Sequence, residues 1–165
     1  MVAFSFSSAE MLAAGVTPWR GPPHETPQDY ALHLWLQMTN ADEDMDLETA
    51  CELASHNGEV YKELWDFGVE KGASLPEAAQ AKLFRALVIS NPPAKREGVV
   101  ARRDSYLRAI ADALVREYGL KRRRSIYRKP GREGKSAASI ISELPYTGSS
   151  YQIPGERQVE DIITG

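Results

Sequence analysis

Apolar residues recur at helical intervals through the middle of the chain. In TPQDYALHLWLQMTN, Tyr30, Leu34 and Met38 share one face of a helix, and Ala31 and Trp35 lie beside them. Side chains three and four positions apart come together because the α-helix has 3.6 residues per turn. The Thr-Pro pair at the start supplies a capping hydroxyl and a proline suited to the first helical position. We therefore predict a helix that begins close to residue 27 and presents this stripe to a core.

A helical hairpin is predicted to follow. The stretches LETACELASHNG and EVYKELWDFGVEKG both have helical spacing, and Asn57 with Gly58 permits a turn between them. In the second stretch, Val60, Leu64 and Phe67 form one apolar stripe. The two stretches also have the spacing of a helix-turn-helix. Carboxylates on the second helix would repel DNA phosphates, so we do not expect this hairpin to read DNA.

Two longer helices complete the predicted core. SLPEAAQAKLFRALVIS has Ser74 as a candidate cap, and the prolines that follow Asn91 stop it. The next helix begins near Val99 and ends at Gly119, because glycine favours the left-handed turn after a helix. Its predicted apolar stripe consists of Val100, Leu107, Ile110 or Ala111, Leu114 and Tyr118. Burial is expected for Leu64, Leu83, Leu87, Leu107, Ile110 and Leu114.

The two ends of the chain differ from this helical middle. Residues 1–25 contain a short helix-like stretch, SSAEMLAAG, and then a proline-rich arm. Residues 136–165 combine Gly, Ser and Pro with scattered apolar residues, which is typical of an extended tail, while SAASIISELPY fits a short helix or a strand. The predicted fold is therefore mainly α: a small helical bundle of about four principal helices over residues 26–120, a basic segment at 121–135 and an extended C-terminal arm.

Composition limits the class of protein. The chain has 165 residues, of which 42% are apolar and 26% charged, as in one ordinary globular domain. Its single cysteine, Cys51, cannot form a disulfide within the chain. No stretch reaches the roughly 18 apolar residues that cross a membrane, and the first residues lack the pattern of a signal peptide. We expect no membrane partner and a cytoplasmic location, or the host cytoplasm or virion if the protein is viral.

Charge is strongly polarised along the chain, although the net charge is only −3. Residues 1–80 hold 14 acidic and 3 basic residues, whereas residues 82–135 hold 16 basic and 5 acidic residues. Such asymmetry indicates a polyanionic partner for the basic half, or a match between the two halves within one molecule or between copies. The acidic half includes a cluster suited to a basic protein partner: Asp42, Glu43, Asp44, Asp46, Glu48 and Glu52.

The basic segment, residues 121–135, is the candidate binding site, with eight basic residues and one acidic residue. Arginine can pair with phosphate through two parallel hydrogen bonds, and an interleaved tyrosine can stack on a base or sugar. Because no motif that reads base edges is present, we expect binding by charge without sequence preference. The predicted nucleic-acid-binding residues are Lys121, Arg122, Arg123, Arg124, Tyr127, Arg128, Lys129, Arg132 and Lys135. Arginines of the preceding helix extend the predicted patch: Arg102, Arg103, Arg108 and Arg116.

Catalytic and metal-dependent functions are not expected. Residues 134–136, Gly-Lys-Ser, match the end of a nucleotide-binding loop, but Lys129 stands where that loop needs its first glycine. No local motif brings a nucleophile together with a histidine and an orienting group. The candidate metal ligands lack the spacing of a metal site: His24, His33, His56 and Cys51. We therefore predict no enzyme activity, no catalytic residue, no metal and no cofactor.

Together these features favour a non-enzymatic oligomeric assembly protein associated with nucleic acid, for example a viral or phage packaging or structural component. The basic segment would contact phosphates, and the polarised charge would suit head-to-tail association of copies. The alternative is a protein-binding module or inhibitor that uses the acidic half, with the basic segment docked on an acidic protein surface. The layout of helical hairpin, further helices and C-terminal arm is similar to that of phage small terminase subunits. This resemblance of layout implies a packaging role and assigns no residue.

Overall fold

A computed structural model describes residues 26–39, 47–75, 77–89, 98–123, 135–145 and 151–164. Seven α-helices and no strand lie within these residues, which confirms the predicted mainly α-helical bundle. The helices are α1 (Pro27–Thr39), α2 (Leu47–Ala54), α3 (Gly58–Lys71), α4 (Glu77–Phe84), α5 (Val99–Tyr118), α6 (Ala137–Ser142) and α7 (Glu156–Thr164). The helix and arm predicted in residues 1–25 lie outside the described residues.

Helix α5 is the centre of the bundle and contacts α1, α2, α6 and α7. Leu107, Ile110 and Leu114 are fully buried on it. Gly119 ends the helix as predicted: its φ is 66°, and its N–H donates to the Val115 carbonyl at 3.0 Å. Glycine suits this position because a left-handed backbone strains residues that carry a Cβ.

The predicted starts of α1 and α3 are confirmed. The Thr26 hydroxyl accepts a hydrogen bond from the Asp29 N–H at 3.2 Å and so caps α1. At the α2–α3 turn, the buried Asn57 side chain accepts from the N–H groups of Glu59 and Val60 at 3.0 and 3.3 Å. A polar cap therefore occupies a turn position that an apolar residue takes in a helix-turn-helix. All six predicted core positions are buried: Leu64, Leu83, Leu87, Leu107, Ile110 and Leu114.

Two details near helix starts differ from the prediction. Helix α5 begins at Val99 as predicted, but Val100 is 61% exposed because the packed part of the helix begins only at Ser105, more than one turn further along. Ser74 does not start the next helix: it lies in a 3₁₀ turn, Gly72–Ser74, where its hydroxyl donates to the Lys71 carbonyl at 2.7 Å. Helix α4 begins at Glu77 and continues into a π-helical turn, Arg85–Ile89.

The predicted extended tail contains two helices instead. Helix α6 buries Ile140 and Ile141, and α7 buries Val159 and Ile163, with α7 packed against α5 and α6. Val159, Ile162 and Ile163 have the three- and four-residue spacing of a helix, and burying them outweighs the loop-forming residues before them. The short-helix alternative for SAASIISELPY is therefore confirmed at residues 137–142, and the expectation of an extended C-terminal arm is corrected for residues 156–164.

Candidate nucleic-acid interface

Both ends of the basic segment are fixed to the same part of the bundle. The Ala137 N–H donates to the Lys121 carbonyl at 2.8 Å, and the Ala138 N–H donates to the Arg122 carbonyl at 3.0 Å. Both alanines are fully buried at the start of α6, so the junction is anchored in the core. The described residues on either side of the stretch 124–134, which itself lies outside the described residues, are therefore held together on the bundle.

Four of the predicted site residues belong to this junction. Lys121, Arg122 and Arg123 follow the end of α5, and Lys135 directly precedes the cap of α6. The backbone contacts bring the two sets of cations to one surface, although 11 residues separate Arg123 from Lys135 in the chain. The other predicted site residues lie outside the described residues: Arg124, Tyr127, Arg128, Lys129 and Arg132.

Three of the junction cations pair with carboxylates of the same chain. The pairs are Arg122–Asp112 at 2.6 Å, Arg123–Glu160 at 3.7 Å and Lys135–Glu143 at 2.5 Å. The cationic side chains are 39%, 55% and 47% exposed in that order. Ion pairs with this much solvent contact typically contribute about 0–1 kcal/mol each. The three cations are therefore held in position but remain reachable by a stronger anion.

Asp112 connects this junction to the α2–α3 turn. Its Oδ1 atom contacts Arg122, and its Oδ2 atom lies 2.5 Å from His56 Nε2. Burial acts to raise the pKa of Asp112, but the hydrogen bonds and charges of His56 and Arg122 outweigh burial and lower the pKa below its ordinary value. The carboxylate is therefore ionised at neutral pH and holds Arg122 against the bundle.

The Gly-Lys-Ser match is explained by the start of α6. The Ser136 hydroxyl is buried and accepts a hydrogen bond from the Ser139 N–H at 3.1 Å, as serine commonly does at a helix N-cap. The neighbouring Lys135 ammonium lies against the Glu143 carboxylate. Both residues that follow the glycine therefore have structural partners within α6 and the turn after it.

The arginines of α5 are held by the bundle and do not extend the basic surface freely. Arg108 Nε donates to the Ile162 carbonyl at 2.9 Å, and Arg103 contacts both Asp104 and the Gln152 carbonyl. Arg102 lies 4.0 Å from Glu59, which is a loose contact between mostly buried side chains. The expected extension of the patch along α5 is therefore limited by these internal partners.

Glu52 accounts for part of the charge match between the two halves of the chain. Its buried carboxylate accepts hydrogen bonds from both terminal nitrogens of Arg116 and lies 3.9 Å from Lys82. Burial alone would lower the pKa of Arg116, but Glu52 and then Glu117 outweigh it and raise that pKa. Glu52 is thus not available to a basic partner. The other predicted acidic-cluster residues lie outside the described residues or have undescribed side chains: Asp42, Glu43, Asp44, Asp46 and Glu48.

Metal-binding and membrane-spanning features find no support in the same residues. The described part of the chain contains no cluster of three or more side chains able to hold a metal ion. Cys51 is buried, as expected for a small core residue. None of the described helices combines the length and the apolar character needed to cross a bilayer.

An exposed apolar face on α3 and α4 was not anticipated from the sequence. Seven large apolar side chains are exposed in the described residues, and four of them line a single groove of about 300 Å³. Such clustering distinguishes an interaction surface from scattered exposed residues. The four are Trp65, Val69, Phe84 and Val88. The signal was present in the sequence, because Trp65 and Val69 form a second apolar pair beside the buried stripe of α3.

The chain was compared with known proteins at the levels of family, sequence and structure. No family model matches it, and neither a curated protein nor a solved structure does. Functional inference therefore depends on the surfaces of this molecule.

Proposed function

We propose that this protein is a non-enzymatic assembly protein whose basic segment binds the phosphates of nucleic acid. The observation that carries the proposal is the pair of backbone hydrogen bonds that joins residues 121–122 to 137–138. This junction gathers cations from both ends of the segment at one surface. The intervening residues 124–134 contribute four basic residues and one acidic residue to the sequence of the segment.

Phosphates have an energetic advantage over the carboxylates that the junction cations now contact. The carboxylate pairs are partly exposed and individually weak. A polyanion that displaces them also releases condensed counterions, which favours binding at low salt. Because this gain does not depend on base identity, we expect duplex and single strands of any sequence to bind.

The α2–α3 hairpin is a poorer candidate for the nucleic-acid contact. Helix α3 exposes Asp66 and Glu70, and these carboxylates would repel phosphates. Glu59, at the start of the same helix, is mostly buried beside Arg102 and adds a further negative charge. The electrostatics of the described surface therefore favour the basic segment.

A salt titration of DNA binding tests this proposal. Fluorescently labelled duplexes and single strands of several sequences would be titrated with wild type and with an Arg128→Ala/Lys129→Ala variant. If about five phosphates are neutralised, the log–log salt slope for duplex DNA is near −4.5, since each contact contributes about 0.9. The variant should flatten that slope by up to about 1.8 and weaken binding to all sequences alike.

Lys62→Ala/Lys71→Ala is the matched control, because it removes the same charge from exposed positions of α3. The control should keep the wild-type slope. Equal weakening of DNA binding by the two variants would contradict a contact at the basic segment and would indicate only a general effect of net charge. A preference above about tenfold for one duplex sequence would contradict binding by charge alone.

A second candidate function is supported by the carboxylate partners of Arg122, Arg123 and Lys135. A segment whose cations already pair with carboxylates is also suited to docking on an acidic protein surface. In that case nucleic acid would fail to bind even at low salt, and an acidic protein would bind in a manner sensitive to the Arg128→Ala/Lys129→Ala change. The same titration therefore separates the two candidates.

A further inference from the structure

The groove between α3 and α4 is built by specific contacts of the two helices. A Cβ atom added to Gly68 would lie 3.2 Å from Leu83 Cδ2, so glycine favours the close approach of α3 and α4. The Tyr61 hydroxyl donates to the Leu87 carbonyl at 2.6 Å and ties α3 to the π-helical turn after α4. The floor of the groove is therefore fixed, while its apolar walls face solvent.

The walls of the groove are far more exposed than a packed surface would be. Val69 is 77% exposed, Phe84 59%, Val88 55% and Trp65 46%. Exposed apolar side chains that are contiguous, as these are, favour association with another surface, because burial removes apolar area from water.

Charges along α4 indicate what that other surface is. Glu77 and Ala81 of α4 and Arg85, the first residue of the π-helical turn, are all exposed and follow one another at intervals of four residues, so they lie along one side of this segment. Opposite charges thus stand at equal distances, about 6 Å each, on either side of a small residue. If a second α4 lies antiparallel with the two-fold axis at Ala81, Glu77 of each copy faces Arg85 of the other.

This side of the segment exposes one acidic and one basic residue, Glu77 and Arg85. A strongly basic or strongly acidic partner would meet a like charge as often as an opposite one here, whereas a two-fold pairing matches each sign with the other.

We infer that two copies of this chain pair through the α3–α4 face as a two-fold symmetric dimer. In the antiparallel arrangement, residue 84 of one copy lies opposite position 78 of the other. Phe84 of each copy then faces the groove of the other copy, whose lining includes Gly72 and Ala73. This surface does not include the basic segment, so the inference does not depend on nucleic-acid binding.

Sedimentation equilibrium of the full chain without nucleic acid tests the apolar part of the interface. Wild type should be a dimer, and Phe84→Asp should dimerise at least about 30-fold more weakly, the loss typical of a central aromatic anchor. Val100→Asp is the matched control, because Val100 is 61% exposed on a different helix. The control should dimerise like wild type, and circular dichroism should show the same helical content in all three proteins.

A charge exchange tests the antiparallel register. Glu77→Arg alone and Arg85→Glu alone each place like charges opposite each other twice, so each variant should dimerise about tenfold more weakly than wild type. A mixture of the two variants should regain dimers, because the arginine introduced at position 77 of one copy would face the glutamate introduced at position 85 of the other. Only a pairing that brings these two positions together gives this recovery.

Two results would overturn the dimer: a monomeric wild type at high micromolar concentration, with or without capture of a different protein, and Phe84→Asp self-associating as well as wild type. No recovery in the mixture would overturn the antiparallel register. Because these measurements contain no nucleic acid, their failure leaves DNA binding to be judged by its own salt titration.

Discussion

The basic segment and the α3–α4 face differ in how the fold treats them. The basic segment is conspicuous in the sequence, yet Arg122, Arg123 and Lys135 are paired with carboxylates of the same chain. The α3–α4 face is inconspicuous in the sequence, yet its apolar side chains stay exposed. The cations of the basic segment are thus partly paired within the chain, whereas the apolar side chains on the outer side of α3 and α4 remain accessible to a partner.

The two surfaces should therefore respond to different conditions. Partly exposed ion pairs exchange partners easily and weaken as salt screens them. Apolar contacts depend on area removed from water and are insensitive to moderate salt. We expect the largest effect from truncation of a side chain in the core that supports both surfaces, and the smallest effect from truncation of a single exposed side chain.

Truncation of a core side chain should destabilise the whole bundle and therefore both surfaces. Leu114 is fully buried on α5, so Leu114→Ala should lower the free energy of unfolding by about 2–5 kcal/mol. Val100→Ala on the same helix is the control and should change it by less than about 0.5 kcal/mol, because Val100 is mostly exposed. Urea denaturation measures the free energy of unfolding of the two variants. Similar losses in the two variants would show that the burial pattern of α5 is wrong.

Salt should separate the two binding events. With a slope near −4.5, raising salt from about 50 to about 200 mM should weaken duplex binding by about 500-fold. Dimerisation in the same buffers should change by less than about threefold, because apolar contacts dominate the α3–α4 face. Fluorescence anisotropy and sedimentation equilibrium provide the two affinities. Similar losses of DNA affinity and of dimer affinity as salt rises would contradict the claim that charge dominates one surface and apolar contact the other.

The Asp112 carboxylate should stabilise the junction only while it is ionised. Asp112→Asn should lower the free energy of unfolding by about 0.5–1.5 kcal/mol at neutral pH, a range that allows for the solvent contact of a partly exposed group. The pKa of Asp112 is lowered in the folded state, so its contribution is present above its unfolded value and is lost as pH falls through the folded value.

Urea denaturation across acidic pH checks the sign of this effect. The difference between wild type and Asp112→Asn should shrink towards zero as the pH falls. Asp66→Asn, at an exposed position of α3, is the control and should differ from wild type by less than about 0.5 kcal/mol at neutral pH. A difference that grows as the pH falls would show that the carboxylate is not stabilised by His56 and Arg122.

Lys135→Ala should have the smallest effect. The Lys135–Glu143 pair is about half-exposed on both sides, so its loss should change stability by at most about 0.5 kcal/mol. DNA binding should lose one ordinary charge, which flattens the salt slope by about 0.9. ATP binding that is saturable in wild type and absent in Lys135→Ala would contradict the structural role given to Ser136 and Lys135.

The helical core was predictable because its signals are local. Thr26, Asn57 and Gly119 mark helix ends through their own hydrogen bonds or backbone conformation. The buried stripes of α1, α3 and α5 follow the helical period, apart from Val100 in the first turn of α5. Helix α7 was missed because its apolar spacing spans only five residues, 159–163, after a Pro-Gly pair that normally marks a loop.

The junction of the basic segment was not predictable, because it depends on contacts between distant residues. Nothing in the sequence near Lys121 indicates that its carbonyl accepts from Ala137. Arg116 likewise pairs with Glu52 of α2, which lies 64 positions away in the chain. The site residues could therefore be proposed from composition, but their positions and internal partners could not.

The most direct test of the central claim, that nucleic acid and a second copy use separate surfaces, is hydrogen–deuterium exchange of the full dimeric chain with and without duplex DNA at low salt. We expect peptides that cover residues 121–138 to exchange more slowly when DNA is added, while peptides within residues 58–89 stay unchanged. Slower exchange confined to α2 and α3, with none at residues 121–138, would contradict the claim and identify the hairpin as the DNA contact.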